Sequence, residues 1–204
     1  MSFKPKDILV ITTGGTIDSH YDPAKGVPYH VPQTGESAVP FALKELGLDG
    51  RCYVHELCSK DSKEITRKEL SDILAQMKRH QNIKKIIITH GTDTMPRNAR
   101  QLEAMLARQD KQDRTVIFTG GMEPLRDDQL NIRPDADGWA NLKLAVEGAD
   151  SKEAGVYVAV NGKVHDAQAI DKWVKVDEND QVVASGFTER AVRSTEQVES
   201  RGRG

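Results

Sequence analysis

Ile8-Leu9-Val10-Ile11-Thr12-Thr13-Gly14-Gly15-Thr16-Ile17-Asp18 reads as a strand that runs into a turn. Its opening residues are apolar and mostly β-branched, the composition of a strand buried on both faces, and two glycines then end the run. The same grammar recurs further along, where Ile86-Ile87-Ile88 leads into His90-Gly91-Thr92-Asp93-Thr94-Met95. In an open parallel α/β sheet the carboxyl ends of the strands form the binding crevice. Hydroxyls, a carboxylate and bare glycine backbone therefore converge there. That is the equipment of a site that grips a small polar molecule and attacks it with a hydroxyl.

Working outward, apolar runs recur at 8–11, 53–57, 86–88, 116–118 and 156–160, with helical spacing between them over 39–46, 67–80, 95–108 and 140–147. This alternation predicts a mostly parallel, doubly wound sheet with helices on both faces, a three-layer α/β fold. Leu70, Ile73, Leu74 and Met77 share one face of the second helix, and Thr66 with Glu69 has the form of a capping box at its start. Pro96 suits a first helical turn. Asn161-Gly162 signals a tight turn folding Val160 back onto Val164. Residues 18–35 and 123–137 lack periodicity, the first reading as a lid or binding loop beside the first motif. The division expected is an α/β domain over 1–187 and a disordered polar tail over 188–204.

With 29 Lys plus Arg against 31 Asp plus Glu, the net charge of −2 offers no general attraction to nucleic acid or anionic membrane. No apolar run is long enough to span a bilayer, and the amino terminus has no secretory pattern. Cys52 and Cys58 read as free thiols of a reducing, cytoplasmic compartment. A small-molecule partner is the expectation.

Neither a Gly-x-Gly-x-x-Gly nor a P-loop spacing is present, the six histidines are scattered without zinc-ligand spacing, and no Gly-x-Ser-x-Gly elbow occurs. No metal or cofactor is expected. A threonine hydroxyl is inert at neutral pH, so a nucleophilic threonine needs a proton acceptor, for which a lysine of lowered pKa or a tyrosine would serve. Glycines 14, 15 and 91 let backbone amides approach a carboxylate or oxyanion, and Asp93 beside them suits an ammonium. The pocket described is one for a free amino acid. Taken singly, Thr12–Thr16 also reads as a strand exit capped by Thr16, and Thr92–Pro96 as an ordinary helix start.

TGGTI at 13–17 and HGTDTM at 90–95, in this order and each after a strand, resemble the two signatures of the bacterial-type L-asparaginase/glutaminase family. The resemblance runs from about residue 7 to about residue 172. It implies the flavodoxin-like N-terminal domain of that family and an L-asparagine amidohydrolase without metal, with L-glutamine as a second substrate. It further implies Thr13 as nucleophile, with Tyr21 acting beside it and Tyr29 as the alternative. Thr92 and Asp93 match the second threonine and the acid that meets the substrate ammonium, and Lys172 the lysine that moves protons with them. Ser59 and Asp61 resemble the substrate-carboxylate serine and its neighbouring acid, while Gly14 and Gly91 belong to the substrate-binding turns. Gly120-Gly121-Met122 and Ala136-Asp137-Gly138 with Asn141 resemble two further stretches.

Two departures stand out. Lys60 takes the place of the family's usual Gln, and the chain ends before the second domain of the longer enzymes, which lends an acidic residue to a neighbouring subunit. Family habit implies a homodimer or homotetramer. Two further readings stay open, an amino-acid binding module with weak turnover and an ammonia-supplying amidotransferase subunit.

Overall fold

Five near-continuous apolar runs need cover on both faces, and the fold supplies it with two layers of helices. The computed structural model describes residues 6–22, 27–29, 37–109, 113–127, 129, 131–179 and 182–190. Strand β1 (Ile8–Gly14) is followed by a short antiparallel pair, β2 (His20–Asp22) and β3 (Val27–Tyr29), then helix α1 (Val39–Glu45). The units β4 (Cys52–Lys60)–α2 (Arg67–Arg79), β5 (Lys85–Thr89)–α3 (Met95–Ala107) and β6 (Thr115–Thr119)–α4 (Gly138–Ser151) come next. The chain then runs through β7 (Gly155–Val160), β8 (Lys163–Asp166), β9 (Ile170–Val176) and β10 (Val182–Glu189). The region expected as an aperiodic loop after the first motif thus contains the β2–β3 pair.

The main sheet has the order β4-β1-β5-β6-β7-β8; its first five strands are parallel and β8 is antiparallel. Counted along the chain the parallel strands read 2-1-3-4-5, the flavodoxin-like order, so the topological switch point lies between β1 and β5. Those are the strands that carry the two motifs. Leu9, Ile11, Ile86, Ile88 and Phe118 face α2 and α3, while Ile8, Val10, Ile87 and Ile117 face α1 and α4.

The expected capping box forms at α2: Thr66 Oγ1 accepts from Lys68 N at 3.2 Å, and Glu69 Oε2 from Thr66 N at 2.8 Å. Pro96 occupies the first turn of α3. Asn161 and Gly162 both have positive φ, 52° and 73°, as a two-residue hairpin turn requires. The turn pairs Val160 with Lys163 and Ala159 with Val164, one residue tighter than expected.

Helix α4 extends past both ends of 140–147: a side chain at Gly138 would meet Ile17 and Leu125, and one at Gly148 would meet Val164 and Ile117, each at about 3 Å, so packing overrides the weak helix propensity of glycine. The β9–β10 ribbon has no periodicity to announce it. Arg100 of α3 anchors it, donating to the carbonyls of Ala167 and Ile170 and to Asp171 Oδ1 at 2.7–3.2 Å. Strand β10 carries the chain through Thr188 and Glu189, and residues 191–204 lie outside the described residues.

Candidate functional site

The chain leaves β1 through Gly14 and Gly15, with φ of 90° and 85°, a region side chains avoid. A methyl group on Gly15 would stand 2.3 Å from the Gly91 nitrogen, and one on Gly91 would stand 2.8 Å from Ser62 Cβ. The glycines of the two motifs therefore rest backbone on backbone. Gly15 N also donates to Lys60 O at 3.0 Å, which draws the end of β4 into the same knot. Thr13, 1% exposed, donates its hydroxyl to the carbonyl of Thr89 at 2.8 Å, on the residue that ends β5. Alternation along β1 puts the Thr12 side chain on the opposite face of the sheet.

The second motif is held from below by His90. This fully buried ring bonds Gly91 O through Nδ1 at 2.7 Å and meets Asn98 Nδ2 through Nε2 at 3.0 Å, a pattern that assigns the neutral, Nδ1-protonated tautomer. Burial pushes its pKa down to about 4, so it stays neutral and supports the turn. Thr94 Oγ1 donates to Ser62 O at 2.7 Å and locks this turn to the one after β4. Thr92 is buried, whereas Asp93 stays partly open and meets the Lys63 ammonium at 3.2 Å. Asp93 thus already holds an ammonium group.

Near the end of β4, Ser59 is exposed, and just after the strand Asp61 caps the short turn Ser62–Glu64 by accepting from Lys63 N at 2.8 Å. Lys60 points its ammonium at Glu69 Oε1 of α2, 2.6 Å away. That contact, with the hydrogen bonds from Thr66, holds Glu69 down to about 2. The lysine at the family's Gln position is therefore committed to the α2 cap. The two further resembling stretches bond to each other: Asp137 accepts from Met122 N and Glu123 N, and Asn141 Nδ2 donates to Gly120 O at 2.9 Å.

Lys172 lies half-buried on β9, with its ammonium 3.2 Å from Met122 Sδ and 4.7 Å from the centre of the Phe187 ring. Burial lowers its pKa, and the nearby Asp93 and Asp137 charges oppose that shift. It is thus within electrostatic reach of Asp93 without a hydrogen bond to Thr92 or Asp93. Tyr21 and Tyr29 sit on β2 and β3, and their side chains lie outside the described residues.

Between the ends of β1 and β4 opens a cavity of about 220 Å³, lined by Thr12, Asp18, Ser37, Glu56, Cys58 and Ser59. Asp18, only 4% exposed, accepts from Ser37 Oγ at 2.7 Å and Ala38 N at 2.8 Å. Burial outweighs these bonds and raises its pKa to about 6. Two carboxylates and three hydroxyls make the cavity suit a small cation-bearing molecule; Thr13 is not part of its lining. Among the described residues, no three His, Cys, Asp or Glu side chains converge to hold a metal ion, and no helix is long and apolar enough to cross a membrane.

Thr13, Gly14, Gly91 and Thr92 are therefore brought together at one sheet edge. Ser59 stands beside them on the cavity, Asp61 and Asp93 lie either side of Lys63, and Lys172 stands off. Sequence reasoning gives no role to Asp18, Glu56, Lys63 or Thr89. The position of Asp18, the first carboxylate after an apolar strand and its glycine turn, is the signal that could have found it.

Residues 7–199 match the family described as asparaginase, N-terminal. A glutaminase-asparaginase of Pseudomonas fluorescens is 26% identical over 180 residues, which cover 85% of this chain and 47% of the relative. A glutamyl-tRNA(Gln) amidotransferase subunit of Archaeoglobus fulgidus is 29% identical over 177 residues, 85% of this chain and 39% of the relative. In three dimensions, a structure described as a probable cytoplasmic L-asparaginase from Campylobacter jejuni superposes with a TM-score of 0.63 at 26% identity, covering 81% of this chain and 49% of that one. The chain spans about half the length, or less, of these relatives. The match across most of its length, over the same strand-end turns that the glycine contacts knit together, places the chain in the asparaginase family.

Proposed function

We propose that this chain hydrolyses the side-chain amide of L-asparagine, releasing ammonia and L-aspartate, with Thr13 as the nucleophile. The observation that carries the reading is the junction of the two motifs at the switch point between β1 and β5. Gly15 rests on Gly91, and the buried Thr13 hydroxyl is oriented by the Thr89 carbonyl. A hydroxyl that donates to a main-chain carbonyl turns its lone pairs outward, but a carbonyl is no base. The proton released on attack therefore goes to another group, and Lys172, whose burial favours the neutral amine and which lies within electrostatic reach of Asp93, suits that task. Thr13 Oγ1 attacks the amide carbon, ammonia departs, and water opens the resulting β-aspartyl ester. Asp93, which already pairs with the Lys63 ammonium, takes the substrate's α-ammonium, and Ser59 with the neighbouring backbone amides takes its carboxylate.

The likeness to an amidotransferase component supports a second reading, in which the same chemistry supplies ammonia to a partner. Ammonia release from the purified chain with L-asparagine, L-glutamine and D-asparagine separates the two. Turnover of L-asparagine by the chain alone is the expected result. Turnover that starts only when a partner protein is added would favour the second reading, and none with any amide would contradict both.

A further inference from the structure

The outer faces of α2 and α3 carry a pattern unrelated to the strand-end site. On α2, Arg67, Leu74, Ala75 and Lys78 fall on one stripe, and along α3 Arg97, Ala104 and Met105, with Arg108 capping its carboxyl end, repeat the same spacing. Each stripe has a cation at both ends, a polar residue one turn in (Ser71 or Gln101), and apolar side chains beyond it. The helices lie side by side, so the stripes line two adjoining hollows, of about 500 and 590 Å³, which share Arg67, Met105 and Arg108. Together they form one open groove with an apolar centre at Leu74, Ala75, Ala104 and Met105, polar side chains at Ser71 and Gln101, and a cation near each corner. Eleven residues of helix separate the corner cations along each wall, about 16 Å.

None of these four cationic side chains makes an ion pair or hydrogen bond with a described residue. The neighbouring acids are engaged elsewhere: Asp72 with Lys68, Glu69 with Lys60, and Glu103 with Gln168. Exposed cations around apolar surface set the chemistry of the occupant. Its ends must be anionic and its middle apolar, over about three helical turns. Nucleic acid would leave the apolar centre unused and finds no aromatic ring to stack on among the lining residues. A second copy laid groove against groove would set cation against cation.

We propose that the α2–α3 groove docks an acidic amphipathic helix of a protein partner, its carboxylates meeting Arg67 and Arg97 at one end and Lys78 and Arg108 at the other. In each strand–helix unit the helix starts at the carboxyl edge of the sheet. The Arg67 and Arg97 end of the groove therefore lies on the side of Thr92 and Asp93, and a docked helix would reach the site's rim without covering it. The proposal stands whether or not the chain is a hydrolase.

The test selects a displayed library of 16-residue helical peptides against the full chain and measures the enriched peptides by fluorescence anisotropy. The comparison proteins are Lys78→Glu/Arg108→Glu and the milder Lys78→Gln/Arg108→Gln, with circular dichroism confirming their fold. Enriched helices should carry acidic residues about three turns apart around an apolar stripe. They should bind about tenfold or more weakly to the charge-reversed protein, and ammonia release should be unchanged. No enrichment, enrichment of peptides without paired acidic ends, or equal binding to the reversed protein would overturn the proposal. So would single-stranded oligouridylate that binds this face, and is lost in the reversed protein, while no acidic helix binds.

Discussion

The two ends of the sheet are built on opposite principles. At the amino edge, Arg51 bonds Asp7 at 2.8 Å and Asp150 at 2.8 Å, and Lys85 bonds the same two carboxylates at 3.0 and 2.7 Å. Two cations and two anions from β5, α4 and the starts of β1 and β4 close on themselves, and both carboxyls are held well below the usual range by their partners. At the carboxyl edge the described charges pair singly rather than in a closed network, Asp93 with Lys63 and Lys60 with Glu69. Asp18 is buried with its pKa raised, Asp93 is half open, and the turns are held by glycine backbone pressed on glycine backbone. One edge joins elements and is electrostatically complete. The other holds a buried carboxyl with a raised pKa and a partly open carboxylate, which is where ligand chemistry has room to act.

The comparison breaks most easily at Gly15. Gly15→Ala puts a methyl group 2.3 Å from Gly91 N in a positive-φ conformation, and should cost about 4 kcal/mol or more in urea unfolding. Stability within experimental error of the parent would mean that the two motifs do not rest on each other.

Asp18 sharpens it. A carboxyl raised from 3.8 to about 6 in the folded state binds its proton more tightly there, so its contribution to stability grows as pH falls from 6 towards 4 and is lost as pH rises through 6. His90, lowered from 6.5 to about 4, acts in the opposite sense and loses stability over the same window as pH falls. Asp18→Asn removes one of the two opposed dependences. Between pH 6 and pH 4 the variant should lose about 2 kcal/mol relative to the parent, because about one and a half of the roughly two pKa units between the unfolded and folded values are expressed inside that window. Parallel stability–pH curves would remove Asp18 from the account.

The amino edge should respond least. Its charges are about a third or more exposed, so screening limits the network, and Arg51→Met should cost about 1–2 kcal/mol at low salt and less at high salt, leaving ammonia release unchanged. Loss of activity in that variant would show that the two edges are coupled.

How much of this is legible in the sequence follows from the range of the forces involved. The β-branched runs, the Thr66–Glu69 cap and the Asn161-Gly162 turn act within a few residues, so β1, β5, β6, β7, α2 and the β7–β8 hairpin can be read directly. The pairing of Gly15 with Gly91 spans the fold, and only its ingredients are visible. Helix α4 reads short because Gly138 and Gly148 argue against helix until Ile17 and Leu125 pack on the first and Val164 of β8 and Ile117 of β6 on the second. The β9–β10 ribbon is held by Arg100 from another element and by Trp173 lying on Gly186, neither of which leaves a local period. Lys60 and Lys63 are legible as charges, while their partners Glu69 and Asp93 are set by the turn after β4.

The central claim is that the hydroxyl oriented by Thr89, and not its neighbour on the other face of the strand, carries the chemistry. The most direct measurement is ammonia release from L-asparagine by Thr13→Ala beside Thr12→Ala, each checked for an intact fold. Thr13→Ala should lose about a thousandfold or more in kcat while Thr12→Ala keeps most of the parent's kcat. Turnover retained in Thr13→Ala, or lost equally in both variants, would contradict the assignment.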